Sequence, residues 1–180
     1  MEFKEQTLED IIWENVQKAD GRVLLKERGL DVSGAFYRQL DLGVYGRADL
    51  VSVDYNIKNK KVIITIYELK KKKIGDEALM QACRYLTALE RHGFDNDACD
   101  YNIEYRIRLI GDSIQRGDDF VYLYNALPFV DIFTYNYKIN GIFFDCVSHN
   151  WCRKEETLNE ETTKLIQQNI DYCIKAASKR

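Results

Sequence analysis

The chain has 180 residues, 46% of them hydrophobic and 12% aromatic, enough apolar surface for one compact domain and too much for a disordered, collagen-like or mucin-like chain. Its 26 Lys and Arg against 29 Asp and Glu give a formal charge of −3, so no global basic footprint marks a nucleic-acid binder and any phosphate must be met by local patches. No run reaches the ~18 to 20 apolar residues of a bilayer-spanning helix, since Asp131, Asn136, Lys138 and Asn140 interrupt even the most apolar region.

The opening MEFKEQTLED is acidic and lacks the basic start and apolar centre of an export signal, so the expected location is cytoplasmic, as in a prokaryotic or phage-type protein. Cysteines at 83, 99, 146, 152 and 173 form no C-x-x-C pair and read as reduced, mostly buried thiols. His92 and His149 lack partners at zinc-site spacing, and His149 near Trp151 reads as packing.

No repeat, low-complexity tract or linker divides residues 1–180, and a single domain is expected. Residues 7–18 place Leu8, Ile11, Ile12 and Val16 on one helical stripe with Thr7 as candidate N-cap. Asp20-Gly21 reads as a turn, 36–41 as a first strand, Gly43 and Gly46 as a second turn, and 48–55 as the next strand. Residues 56–60 form a hairpin loop before VIITIYELK (62–70), which is apolar on both faces like a strand at the centre of a sheet. Glu68 and Lys70 continue the Val62, Ile64 and Ile66 face. A helix over 76–91, with Gln81, Arg84 and Tyr85 close together on its surface, precedes a strand over 101–110, an order that predicts a crossover and parallel pairing. Arg106 and Arg108 fall on an expected exposed face of that strand. A short helix over 118–127, two strands across a type I′ turn at Asn140-Gly141, and a helix over 157–177 complete the reading.

This order brings Asp49, at the start of one strand, beside Glu68-x-Lys70, at the end of its antiparallel neighbour. Two converging carboxylates suit a hard divalent cation that keeps waters in its other positions, with the Leu69 backbone carbonyl as a further oxygen. A lysine on the same face reaches the attacking water, which is an arrangement for phosphodiester hydrolysis. The triplet alone is weak, since Glu2-x-Lys4 fits it too; only Glu68-x-Lys70 ends a buried strand after Gly46-Arg47-Ala48-Asp49 and before a helix with Gln81 and Tyr85.

In YGRADLVSVD (45–54), VIITIYELK (62–70) and QACRYLTALE (81–90) the chain resembles the PD-(D/E)xK nuclease superfamily, closest to its repair and RecB-like branches. The resemblance, over residues 7–110, implies an α/β restriction-endonuclease-like core: a central mixed sheet built from a three-strand antiparallel meander, a crossover helix and a parallel strand, flanked by helices. It implies a Mg²⁺-dependent deoxyribonuclease, with Mn²⁺ able to substitute: Asp49 and Glu68 bind metal, Lys70 assists catalysis and Gln81 supports the site or the DNA backbone. An acidic residue of the first helix also faces the metal in many members, and Glu9 matches best, Glu14 second. Ala48 stands where the naming proline would be.

The expected partner is DNA, met by a local patch of Arg38, Arg47, Lys71, Lys72, Lys73 and Arg84, with Tyr85 beside Gln81. No membrane is expected as a partner; a homodimer or larger assembly is left open. The alternative is a non-catalytic nucleic-acid-binding or assembly module of the same fold. In the plainest reading Asp49 and Glu68 pair with Arg47 and Lys70 as salt bridges at a sheet end.

Overall fold

The run most apolar on both faces becomes the spine of the sheet. In a computed structural model, described over residues 5–92, 102–115 and 120–147 and at positions 164, 167, 168 and 170, residues 64–69 are all buried. They belong to β3 (Lys61–Leu69), preceded by β1 (Ala35–Asp41) and β2 (Arg47–Asn56) and followed by the short β4 (Lys73–Ile74), β5 (Asn102–Gly111), the short β6 (Ser113–Ile114), β7 (Val130–Lys138) and β8 (Gly141–Val147). Among the described residues the main sheet has six strands in the order β1-β2-β3-β5-β7-β8, and β4 pairs with β6 separately. The first three strands form an antiparallel meander, β3, β5 and β7 run parallel, and β8 returns antiparallel. The fold is therefore α/β with a mixed central sheet, and the predicted meander, crossover helix and parallel strand are all present.

Helices cover both faces. The helix α3 (Asp76–His92) and the short α4 (Phe120–Ala126) contribute Ala78, Leu79, Ala82, Phe120 and Tyr124 to a core with Ile64, Ile66, Ile107, Leu109 and Ile132. On the opposite face α1 (Glu5–Val16) and α2 (Ala19–Glu27) set Leu8, Ile12, Val16 and Leu25 with Tyr67, Leu69, Ile110, Phe133 and Phe144. Burial of each such side chain is worth about 1.5–3 kcal/mol, so the two cores fix the register of the strands that end at the candidate site.

Four local expectations are corrected. Asp20-Gly21 is no turn but lies inside α2. Gly21 is buried at the crossing of α1 and α2, where a Cβ would lie 2.4 Å from the Asn15 carbonyl oxygen, so glycine serves close helix contact. Thr7 is not a cap, because it lies inside α1, with Glu5 and Gln6 already helical before it. The β7–β8 turn is Ile139-Asn140, with Lys138 opposite Gly141; positive φ occurs at Gly141 (+117°) and at neither central residue, which excludes type I′. Arg108 is not an exposed strand residue: its side chain is 16% exposed, with the guanidinium 5.7 Å from the Tyr67 ring centroid and 5.5 Å from that of Phe133.

Cys83 is half-buried and Cys146 exposed, and both are free thiols. Of the predicted helix over 157–177, Lys164, Gln167, Gln168 and Ile170 are helical and the rest lies outside the described residues, as do Cys99, His149, Trp151 and Cys152. Among the described residues no helix is long and apolar enough to cross a membrane.

Candidate active site

The register Leu50↔Tyr67 places Asp49 and Glu68 on neighbouring strand ends, where β2 starts and β3 finishes. The Leu69 amide donates to Asp49 Oδ2 at 2.9 Å, locking the first carboxylate to the strand that carries the second. Lys70 lies just past β3, yet its amide still donates to the Ile110 carbonyl at 2.8 Å, so the lysine starts from fixed backbone. Its Nζ donates to Glu68 Oε1 at 2.6 Å and to Gln81 Oε1 at 3.3 Å, and Gln81 Nε2 donates to the Tyr85 hydroxyl at 2.7 Å. An unbroken chain of polar contacts thus runs from Glu68 to Tyr85.

Gly46 explains part of the motif spacing. Its φ is +106°, and a Cβ there would lie 3.2 Å from Cε1 of Tyr85. The turn before Asp49 is therefore packed on the helix that supplies Gln81.

The electrostatics are those of two carboxylates crowded together at a buried sheet end. Glu68 is 1% exposed, and its Oε2 has no hydrogen-bond partner, a situation that ordinarily costs about 1–3 kcal/mol. Burial first, then the Asp49 charge, pushes Glu68 up to about 7, against the opposing hydrogen bond and charge of Lys70. Burial likewise pushes Asp49 up to about 6, with the charges of Glu9 and Glu5 adding to it and the Leu69 amide and Lys70 opposing. For Lys70 burial acts downward, but the bond to Glu68 and the charges of Glu68, Glu5 and Asp49 outweigh it and hold the ammonium form.

The other sequence candidates are placed unevenly. Glu9 is close enough for its charge to act on Asp49, but its carboxylate accepts from Arg38 Nε at 2.6 Å and Gln39 Nε2 at 2.9 Å. Arg38 also donates to Asp10 at 2.5 Å, so its guanidinium is engaged by two acids of α1. Tyr85, 3% exposed, holds Gln81 from beneath and presents no face to DNA. Arg47, Lys72, Lys73 and Arg84 are exposed, Glu14 is exposed on α1, and Lys71 is half-buried.

One residue was missed. Glu5, one turn before Glu9, accepts from the Lys71 amide at 3.0 Å, and its charge raises both Asp49 and Glu68. Its four-residue spacing from Glu9, which shares a helix face, was the available signal.

No protein-family model, curated protein or solved structure gives a significant match to this chain. Its chemistry therefore rests on the residues themselves. Among the described residues no group of three or more His, Cys, Asp and Glu side chains is gathered to hold a metal ion. Two hard oxygen donors with one buried oxygen unpartnered still fit Mg²⁺ or Mn²⁺, which bind through one or two carboxylates and retain water, and they do not fit a nitrogen- and sulfur-liganded ion.

Proposed function

We propose that this chain is a metal-dependent nuclease of restriction-endonuclease-like fold that hydrolyses DNA phosphodiester bonds. The observation that carries the reading is the convergence of Asp49, Glu68 and the Gln81-supported Lys70, with Glu68 Oε2 buried and unpartnered.

Asp49 and Glu68 would hold Mg²⁺. The ion, when bound, lowers the cost of deprotonating the attacking water and offsets charge building on the phosphate. Lys70 stays protonated and is therefore no general base. An ammonium has three donors, of which two go to Glu68 and Gln81, and the third serves the water or a phosphate oxygen. Gln81, steadied by Tyr85, holds that ammonium against the pull of the carboxylates. As the water oxygen attacks phosphorus, the bridging P–O bond breaks; the proton shed by that water passes to bulk solvent, and the leaving oxygen takes up a proton from solvent.

The test is thermal denaturation with Mg²⁺, Mn²⁺ or EDTA, together with cleavage of labelled single-stranded, duplex, flapped and junction DNA. Divalent metal should raise the melting temperature of the wild type and not of Asp49→Ala, and cleavage should need metal and Lys70. An unchanged melting temperature at high metal, with no cutting, would overturn the reading. Binding of DNA without cutting would instead indicate the non-catalytic module.

A further inference from the structure

Strands β3, β5 and β7 are parallel, so their carboxyl ends lie along one edge of the sheet. An open cleft of about 610 Å³ lies on that edge, lined by Lys71, Lys72, Asp112, Tyr135, Asn136 and Tyr137 among others. Its basic wall continues the chain from Lys70, and that wall is built in place: Glu5 accepts from the Lys71 amide, the Tyr135 hydroxyl donates to the Lys71 carbonyl at 2.7 Å, and the Asp112 amide donates to the Lys72 carbonyl at 3.1 Å. With the backbone held on three sides, the lysine run is not a loose solvated loop. The Lys72 side chain is exposed, and Tyr137, which lines the same cleft, is 52% exposed.

An exposed cation and an exposed aromatic residue lining one cleft are the two components of a single-strand track, in which phosphates follow the positive side and a base stacks on the ring. A duplex keeps its bases stacked on one another and offers no free base to such a ring. Asp112, which also lines the cleft and whose carboxylate accepts from Ser113 Oγ at 2.6 Å, is negatively charged, so phosphates fall to the lysines. We propose that this cleft takes an unpaired stretch of the substrate next to the scissile bond, with Lys72 on the phosphates and a base on Tyr137, so that the preferred substrates are single strands, flaps or frayed ends. The inference rests on the nuclease reading for its chemistry, but its binding half is testable without it.

The experiment combines affinity for a fluorescent oligothymidylate and for a duplex of equal length, both in EDTA, with cleavage of the same DNAs in Mg²⁺ or Mn²⁺. Tyr137→Ala should weaken single-strand binding about tenfold relative to duplex, Tyr137→Phe should retain it, and Lys72→Ala should lower the salt slope of single-strand binding by about 0.7. If the wild type cuts and Tyr137→Ala leaves the single-strand to duplex ratio unchanged, the cleft assignment is overturned while the nuclease stands. If nothing is cut but Tyr137→Ala still selectively weakens single-strand binding, the cleft stands and the nuclease reading falls. Absence of both binding and cutting overturns both.

Discussion

Around Glu9 on α1 both carboxylate oxygens have a donor, Arg38 on one and Gln39 on the other, whereas Glu68 at the end of β3 has Lys70 on one oxygen and nothing on its second. Both glutamates are buried, 4% and 1% exposed. The neighbouring acids follow suit: Arg38 holds Asp10 below its usual range, while burial drives Asp49 up to about 6 and Glu68 up to about 7. The first region is a satisfied ion network joining a helix to β1. The second is costly as it stands, and on the proposed nuclease reading a bound divalent cation would lower that cost.

The widest separation of the two regions comes from removing charge at each. Glu68→Gln and Asp49→Asn should each lower cleavage about a thousandfold, close to 4 kcal/mol of barrier, while raising the metal-free melting temperature at pH 8. Single-turnover cleavage and a thermal melt in EDTA measure the pair; a variant that loses stability as well as activity would make the site structural. Arg38→Ala should behave oppositely, costing about 3 kcal/mol in urea denaturation because it leaves Glu9 buried without its cation.

A smaller effect, with a sign of its own, is the pH dependence of the metal-free protein. Asp49 and Glu68 have folded-state pKa values near 6 and 7 against ordinary values of 3.8 and 4.5. Between these limits the folded state keeps protons that the unfolded state has released, so stability falls as pH rises from about 4 to about 7 and stays low above. Allowing for screening and for the two acids titrating as a pair, the loss is on the order of 2 kcal/mol. Asp10 and Glu104, held low by Arg38 and by Lys61 with Arg106, act the other way: the stability they add is present above their ordinary values and lost as pH falls through the lowered ones. Urea midpoints at pH 4.5, 6 and 8 should decline in EDTA and flatten in Asp49→Asn; a rise across that range would place both carboxylates in stabilising pairs.

These contrasts also separate what was legible in the residues from what was not. The β3 alternation and the Glu68-x-Lys70 placement could be read because a two-residue period decides a face, and the face puts the lysine beside the glutamate. The parallel pairing of β3 and β5 followed from the intervening helix. The saturation of Glu9 by Arg38 and Gln39 was illegible, because it depends on residues about 30 positions away meeting in space. The same holds for α2, where Gly21 resembles a turn signal until α1 is packed against it, and for Arg108, whose guanidinium lies against the rings of Tyr67 and Phe133.

The finest test concerns how Lys70 is held. Gln81 accepts from the ammonium at 3.3 Å, a long bond, while its amide nitrogen is fixed at 2.7 Å by Tyr85, so on the proposed nuclease reading the glutamine is a positioning residue whose own anchor is stronger than its grip. Gln81→Ala should lower kcat about tenfold with KM little changed, since the ammonium, then held by Glu68 alone, is misplaced only for the transition state. Tyr85→Phe, which removes one hydroxyl and keeps the packing against Gly46, should cost about threefold. Because the Tyr85 hydroxyl contributes nothing to the site except through its bond with Gln81, the Tyr85→Phe/Gln81→Ala double variant should be no slower than Gln81→Ala alone. Multiplicative losses in the double variant would show that Tyr85 reaches the reaction by a route that does not pass through Lys70.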